Sequence, residues 1–170
     1  LEPQSGISKD AIENYLASDG LPIAISTTYQ GDKGIENVIA NRDGRMYGTV
    51  VPELRLQGVT SNYSSSGYST LKFLNEQFKN DQMGTSYVNT TDAPIIRYGE
   101  VLVNYAEACV ELGTLTQDDL DKSINKLRAR VGVNLPKLEV LGGQPAVNGK
   151  VYDDPNRDQS VSSLIWEIRR

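Results

Sequence analysis

Residues 92–130 read DAPIIRYGEVLVNYAEACVELGTLTQDDLDKSINKLRAR and hold the strongest structural pattern in the chain. Apolar side chains recur at helical spacing in two runs, which are separated by Gly113 and a short polar segment. The first run comprises Ile95, Leu102, Tyr105, Ala106, Cys109 and Leu112, and the second comprises Leu120, Ile124, Leu127 and Val131. Two amphipathic helices joined by so short a turn pack side by side. We therefore predict an antiparallel helical hairpin over residues 92–132.

The ends of both predicted helices carry suitable residues. Asp92 can cap the first helix, and Pro94 fits its first turn, where a missing N–H costs nothing. Gly113 ends that helix because glycine readily adopts the left-handed conformation that follows a helix. Thr116 opens the second helix and Gly132 stops it.

Outside the hairpin, the chain is rich in turn-forming residues. Residues 1–91 contain a short helix that Ser8 can cap. They also contain two strand-like segments, residues 45–52 and 68–73, which we expect to pair as a small β-hairpin. Residues 133–159 hold several prolines and glycines and are predicted to form a long loop.

Residues 160–170 predict a last helix whose apolar pattern is still running at Arg170, without a stop signal. Its apolar positions are Val161, Leu164, Ile165 and Ile168. We expect the start of a truncated helix with an exposed apolar stripe, in an internal fragment of a larger protein. Trp166 is expected to reach solvent or a partner surface.

The composition argues against several functional classes. The net charge is −5 and no Lys/Arg cluster occurs, so nucleic acid is not an expected partner. The absence of histidine removes the commonest general base, and we do not expect an enzyme. Cys109 is the single cysteine and lies on the apolar stripe, which predicts a buried, unreactive thiol. No apolar run approaches the roughly 20 residues that span a bilayer.

One segment has the spacing of a calcium loop. Asp154, Asn156 and Asp158 alternate like the first ligands of such a loop. Gln159 stands where a glycine is expected next, and Ile165 stands where a bidentate acid is expected. Asp158 is equally suited to cap the last helix, so we assign no metal.

Tyrosines beside polar side chains form the candidate ligand site. Tyr47, Tyr63 and Tyr68 flank a serine-rich loop that also holds Arg55 and Asn62. Aromatic faces can stack on sugar rings while polar neighbours bind the hydroxyls, so these five residues are the predicted ligand contacts. Surface packing is the alternative role for the three tyrosines.

Other tyrosines and one polar triad are given structural roles. Tyr15, Tyr98 and Tyr105 fall within predicted helices and are expected to pack there. Residues 41–43, Asn-Arg-Asp, are expected to organise local structure, with Arg42 or Arg45 pairing with an acid such as Asp19. Contact with a ligand is the alternative for this triad.

Five segments, in order, resemble the SusD/RagB family. They are Tyr15 with residues 19–23 (DGLPI), residues 41–46 (NRDGRM), residues 93–108 (APIIRYGEVLVNYAEA), residues 124–132 (INKLRARVG) and residues 164–170 (LIWEIRR). The chain departs from the family pattern at Gly44, where a proline is usual.

The resemblance implies a mainly α fold, α+β by content, with tetratricopeptide-like helix pairs, long loops and short strands. Residues 1–170 would form part of one SusD-like domain. Such proteins are Bacteroidetes outer-membrane lipoproteins of the cell surface, held by an N-terminal lipid anchor that these residues lack. They bind an oligosaccharide or other nutrient and cover a TonB-dependent transporter of the SusC type, without enzymatic activity or a cofactor. A non-enzymatic interaction scaffold built on the helical hairpin, with no small ligand, is the alternative.

Overall fold

The computed structural model describes residues 6–54, 64–72 and 94–170. Within these residues the chain forms seven helices and five short strands, a mixed fold rich in helix. The helices are α1 (Lys9–Glu13), α2 (Ile35–Ile39), α3 (Gly44–Tyr47), α4 (Tyr98–Glu111), α5 (Gln117–Lys122), α6 (Ile124–Arg128) and α7 (Ser163–Arg169). The strands are β1 (Val50–Leu54), β2 (Tyr68–Thr70), β3 (Glu139–Leu141), β4 (Gln144–Val147) and β5 (Lys150–Val151).

The helical hairpin is present, with α4 as its first arm and α5 and α6 as its second. A Cβ on Gly99, at the start of α4, would lie 3.6 Å from Leu127 Cδ2, near the end of α6. Further along α4, the Tyr105 hydroxyl donates to Asp119 Oδ1 in α5 at 2.6 Å. These contacts show that the two arms run antiparallel. Gly113 ends α4 with a φ of +66°, as predicted.

The bounds of both arms differ from the prediction. α4 begins at Tyr98, because the β-branched Ile95 and Ile96 favour helix poorly and lie in an exposed bend. Asp92 lies outside the described residues. The second arm is interrupted at Ser123, whose φ of −123° and ψ of −96° are not helical. Its hydroxyl donates to Asp119 O at 2.5 Å and satisfies a carbonyl at the break.

Only part of the predicted apolar stripes is buried. Leu102, Ala106, Leu120 and Ile124 lie in the core, whereas Ile95, Tyr105, Leu112 and Val131 are exposed and Cys109 is half-buried. Val103 and Val110 complete the packed face of α4 instead. The face is shifted because α4 also packs against α7, through an ion pair between Glu107 and Arg169.

The predicted β-hairpin is confirmed, with changed bounds. β1 and β2 pair antiparallel, with Val50 opposite Thr70 and Leu54 opposite Tyr68. Residues 45–47, predicted as strand, belong to α3, because the Asp43 carboxylate caps that helix by accepting from the Arg45 N–H at 2.8 Å. Phe73, the predicted last residue of the second strand, lies outside the described residues.

Residues 133–159 are not one long loop. β3, β4 and β5 form a three-stranded antiparallel sheet within this segment. The two connecting turns have positive φ throughout, at Gly142 (58°) and Gly143 (77°) and at Asn148 (51°) and Gly149 (73°). Consecutive positive φ values are typical of tight β-hairpin turns. The glycines that indicated a loop are therefore the turns of a sheet.

The last helix buries the stripe that was expected to be exposed. Leu164, Ile165 and Ile168 are at most 7% exposed, because α7 packs on α4 and β4. Its cap is Ser162, whose side chain accepts from the Ile165 N–H at 3.2 Å. Asp158, the predicted cap, instead accepts from the Ser160 backbone and hydroxyl.

The apolar interior of the described residues forms two clusters. The larger joins the helical hairpin, α7 and the three-stranded sheet, and consists of Ala106, Leu120, Ile124, Leu138, Val147, Tyr152 and Ile168. The smaller joins α1, α2, α3 and β1, and consists of Ile12, Val38, Met46 and Val50. The two halves meet where Gly44 approaches the carbonyl of Gly132, because a Cβ on Gly44 would lie 1.4 Å from that oxygen.

Candidate functional site

The described members of the predicted ligand site lie at opposite ends of the β-hairpin. Tyr47 ends α3 just before β1 and is 50% exposed. Tyr68 opens β2 opposite Leu54, and its partly buried ring packs against the smaller core cluster. Arg55, Asn62 and Tyr63 lie outside the described residues. The assignment of these five residues therefore stays a prediction.

The Asn-Arg-Asp triad has the structural role that was predicted. Arg42 is 3% exposed, and its guanidinium donates to the carbonyls of Ile12, Tyr15, Leu16 and Val38 at 2.7–3.4 Å. Burial lowers the pKa of Arg42 from its ordinary value. Arg42 therefore holds the end of α1 next to the end of α2.

The prediction that Arg42 or Arg45 pairs with an acid is confirmed for Arg45, but the acid is Asp43 and not Asp19. Asp19 accepts from the Leu21 N–H and the Ser26 hydroxyl and thereby closes its own turn. Arg45 pairs with Asp43, to which its Nε and Nη2 donate at 2.8 and 2.5 Å. Asp19 and Arg45 therefore each bind groups that lie close to them in the sequence.

A groove lies between α1 and α7 in the described part of the chain. Its volume is about 440 Å³. The lining consists of Ala11, Asn14, Tyr15, Arg45, Val161, Trp166, Arg169 and Arg170. Two aromatic rings and three arginines thus face one space, although they come from both ends of the chain.

A buried polar network fixes the position of Trp166 in this groove. Its indole Nε1 donates to Asp154 Oδ2 at 3.1 Å, and Arg170 Nη2 donates to the same oxygen at 2.5 Å. Arg170 Nη1 donates to Glu167 Oε1 at 3.1 Å. The side chains of Arg170, Asp154 and Glu167 are 6%, 1% and 1% exposed. The Asp154 carboxylate therefore anchors Trp166, and Arg170 in turn anchors Asp154.

The same network perturbs two ionisable groups. The Tyr152 hydroxyl donates to Glu167 Oε2 at 3.0 Å. Burial is the main cause that raises the pKa of Glu167, although Arg170 opposes it. Burial, followed by the charge of Glu167, raises the pKa of Tyr152. Both groups lie behind the groove and support its wall.

A smaller hollow of about 200 Å³ adjoins the groove and shares Asn14, Trp166 and Arg170 with it. Its lining is acidic, with Asp10, Glu13 and Asp154. Residues 6–54, 64–72 and 94–170 contain no cluster of three or more acidic or cysteine side chains placed to hold a metal ion. Asp154 accepts hydrogen bonds from Trp166 and Arg170.

The outer face of α4 carries a row of exposed apolar side chains. Tyr98, Val101, Tyr105 and Leu112 are 67%, 51%, 45% and 76% exposed. The prediction that Tyr98 and Tyr105 pack in the interior is therefore wrong, whereas Tyr15 does pack against the smaller core cluster. Their spacing of three, four and seven residues places them on one side of the helix.

Sequence reasoning missed the groove. The segment LIWEIRR contains its tryptophan and two of its arginines, which is a recognisable pairing of an aromatic ring with cations. Nothing local indicates that α1, about 150 residues earlier, supplies the opposite wall. No helix in the described parts of the chain is long and apolar enough to cross a membrane.

Comparison with known proteins identifies the class. The family model of the SusD family matches residues 51–170, which is more than half of the chain. The chain therefore belongs to the SusD family, and the resemblance in the sequence is confirmed. This family is associated with nutrient and glycan binding at the cell surface, and its members are generally non-enzymatic. No curated protein and no solved structure matches the chain.

Proposed function

We propose that this protein binds a glycan or other nutrient at the cell surface and delivers it to a TonB-dependent transporter of the SusC type. The match of residues 51–170 to the SusD family carries the proposal. The aromatic and polar lining of the groove supports it, because ring faces and hydrogen-bonding side chains together suit a sugar. The protein binds its ligand without transforming it and needs no cofactor.

The proposal includes a location at the outer-membrane surface, through an N-terminal lipid anchor. Surface lipoproteins of the outer membrane are typical of the SusD family. It also treats residues 1–170 as part of one domain, with the hairpin as a tetratricopeptide-like helix pair. The contacts of α4 with α5 and α6 are compatible with such a pair.

The predicted tyrosine site is retained as one place for the ligand. Tyr47 is exposed enough to stack on a sugar. The other predicted contacts, Arg55, Asn62, Tyr63 and Tyr68, follow it in the sequence. Tyr68 also packs against the core, so its ring has a structural role in addition to any contact with ligand.

Calorimetric titration of plant, host and starch oligosaccharides into the chain tests the function. We expect binding of at least one sugar class. Tyr47→Ala and Tyr63→Ala test the tyrosine site, with Tyr98→Ala as a matched control on an exposed tyrosine of the hairpin. Unchanged affinity in both site variants removes the tyrosine site, and no binding of any sugar contradicts glycan binding.

The interaction scaffold is the second candidate, and the exposed apolar row on α4 favours it. Four large side chains on one helix face leave apolar area that a partner can cover. Under this hypothesis Val101→Asp and Leu112→Asp abolish co-purification with the SusC-like transporter. Retained co-purification in both variants, together with sugar binding, removes the scaffold hypothesis.

A further inference from the structure

We propose that the groove between α1 and α7 binds a carboxylate-bearing sugar, a uronic acid unit of an oligosaccharide. The inference rests on the proposed glycan binding and specifies where one charged sugar is held. A volume of about 440 Å³ falls within the range of about 300–1,000 Å³ that is typical of small-ligand sites. It is large enough for a sugar ring with its substituents.

The apolar part of the recognition comes from Trp166 and Tyr15. Both rings line the groove from opposite walls. Trp166 is anchored by its Nε1 bond to Asp154 and Tyr15 by its packing on the smaller core cluster, so neither ring has to be ordered when a ligand binds. Fixed aromatic faces can cover the C–H face of a sugar ring.

The charged part comes from three arginines. Arg45 directs Nε and Nη2 to Asp43, and Arg169 directs Nε and Nη2 to Glu107. Among the described residues, neither Nη1 has a hydrogen-bond partner, so each guanidinium keeps donors for a ligand. The Nε of Arg170 is buried and has no partner within the described chain. A carboxylate is the acceptor that suits these planar donors best.

The acids that hold the arginines lie outside the lining of the groove, although Asp154 lines the adjoining hollow. Asp43, Asp154 and Glu167 are at most 1% exposed at their side chains, and Glu107 is 25% exposed. None of the four belongs to the described lining of the groove, whereas all three arginines do. A ligand therefore meets the cationic side of each ion pair first.

The neighbouring hollow determines the orientation of the ligand in the groove. It carries Asp10 and Glu13, and it meets the groove at Trp166. A carboxylate is repelled from this end and attracted to the end at Arg45 and Arg169. Asn14 lies at the junction, and its amide makes a single long bond, 3.5 Å to Asp10 Oδ2, among the described residues. That amide is free to bind a sugar hydroxyl.

The test compares trigalacturonate with its fully methyl-esterified form, which has the same rings without the charge. Calorimetry measures affinity. Because Trp166 is the only tryptophan in the chain, its emission also reports directly on the groove. We expect the acid to bind about tenfold more tightly than the ester, with a change in Trp166 emission. Equal affinity of the two forms, or acid binding that leaves the emission unchanged, overturns the inference.

Three variants locate the site. Arg169→Gln removes one groove cation from a side chain that is 54% exposed, and we expect the affinity for trigalacturonate to fall about fivefold. Trp166→Phe keeps a ring and is expected to retain part of the affinity, which Trp166→Ala loses. Tyr98→Ala, on α4 and outside the groove, is the control and leaves the affinity unchanged.

The outcomes separate the inference from the proposed function. If neutral sugars bind and the acid has no advantage, or if Tyr47→Ala alone removes binding, the groove inference fails and glycan binding stands. If no sugar of either kind binds, both fail. A titration with succinate, a carboxylate without a sugar ring, completes the test. If succinate binds as tightly as trigalacturonate, the groove is an anion site without sugar recognition and the inference is overturned.

Discussion

The side-chain amide of Asn125 binds both backbone polar groups of Leu138. Asn125 Nδ2 donates to the Leu138 carbonyl at 2.9 Å, and the Leu138 N–H donates to Asn125 Oδ1 at 2.8 Å. Both residues are at most 4% exposed. Because Leu138 directly precedes β3, this pair of bonds sets where the three-stranded sheet begins relative to α6.

Asn125→Ala is expected to destabilise the chain by about 2–4 kcal/mol, because it leaves two buried backbone groups unpaired. Denaturant unfolding monitored by circular dichroism measures the loss. Asn104→Ala, on the exposed face of α4, is the control and should change the free energy of unfolding by no more than about 0.5 kcal/mol. Equal effects of the two substitutions would show that the Leu138 contact contributes no stability.

Gly44→Ala is expected to cost about 3 kcal/mol, a value typical of strong overpacking. The added Cβ would lie 1.4 Å from the Gly132 carbonyl oxygen, a backbone atom that cannot move away cheaply. Gly48→Ala is the matched control four residues later, since its Cβ would meet only Arg45 O at 3.8 Å. Thermal melts compare the stabilities of the two variants. A Gly44→Ala protein as stable as the parent would contradict the close approach of Gly44 to the Gly132 carbonyl.

The capping box of α5 predicts a stability change at low pH. The Thr116 hydroxyl, followed by Tyr105, lowers the pKa of Asp119 from 3.8 to about 2. A depressed folded-state pKa means that the stabilisation is complete above 3.8 and is lost as the pH falls towards 2. Asp119→Asn should therefore be less stable than the parent at neutral pH, and the difference should shrink across that window.

Asp118→Asn is the control for this titration. It removes the same charge from the same turn, and it breaks an exposed ion pair with Lys122 but no capping bond. Its melting temperature should follow the parent between pH 2 and 3.8, the two values that bracket Asp119. A parallel loss in both variants would assign the effect to net charge instead of the cap.

Arg42→Met is expected to destabilise the chain by about 3–5 kcal/mol, because four buried carbonyls lose a charged donor. Arg130→Met, on an exposed arginine after α6, should stay within about 0.5 kcal/mol of the parent. Equilibrium unfolding in urea compares them. A well-folded Arg42→Met protein with parental stability would show that water replaces the guanidinium.

Helical periodicity predicted the hairpin, because apolar spacing and helix capping both depend on residues that are close together in the sequence. The helix start at Thr116 and the helix stop at Gly113 are confirmed. The break at Ser123 escaped prediction, because the apolar spacing continues across it from Leu120 to Ile124. The sheet after Gly132 escaped because Gly-Gly and Asn-Gly were assigned to a loop when they were hairpin turns.

Two of the family-like segments, residues 41–46 and 124–132, contain side chains with structural roles. Arg42, Asn125 and Arg128 all bind backbone carbonyls: Arg128 donates to Pro136 O at 2.7 Å and Gly20 O at 3.0 Å. Arginine and asparagine side chains can be expected to donate to carbonyls. Which carbonyls they bind depends on tertiary packing. The groove could not be predicted for the same reason, since its two walls come from distant parts of the sequence.

The bond between Arg128 and Gly20 has a consequence for how the chain folds. These residues are separated by 108 positions, and both groups are buried. During synthesis from the N-terminus, the Gly20 carbonyl has no guanidinium to meet until the hairpin has emerged. Contacts of such long sequence separation form late and slow the search for the native state. Residues 6–50 should therefore stay protease-sensitive on the ribosome and gain protection together with α6.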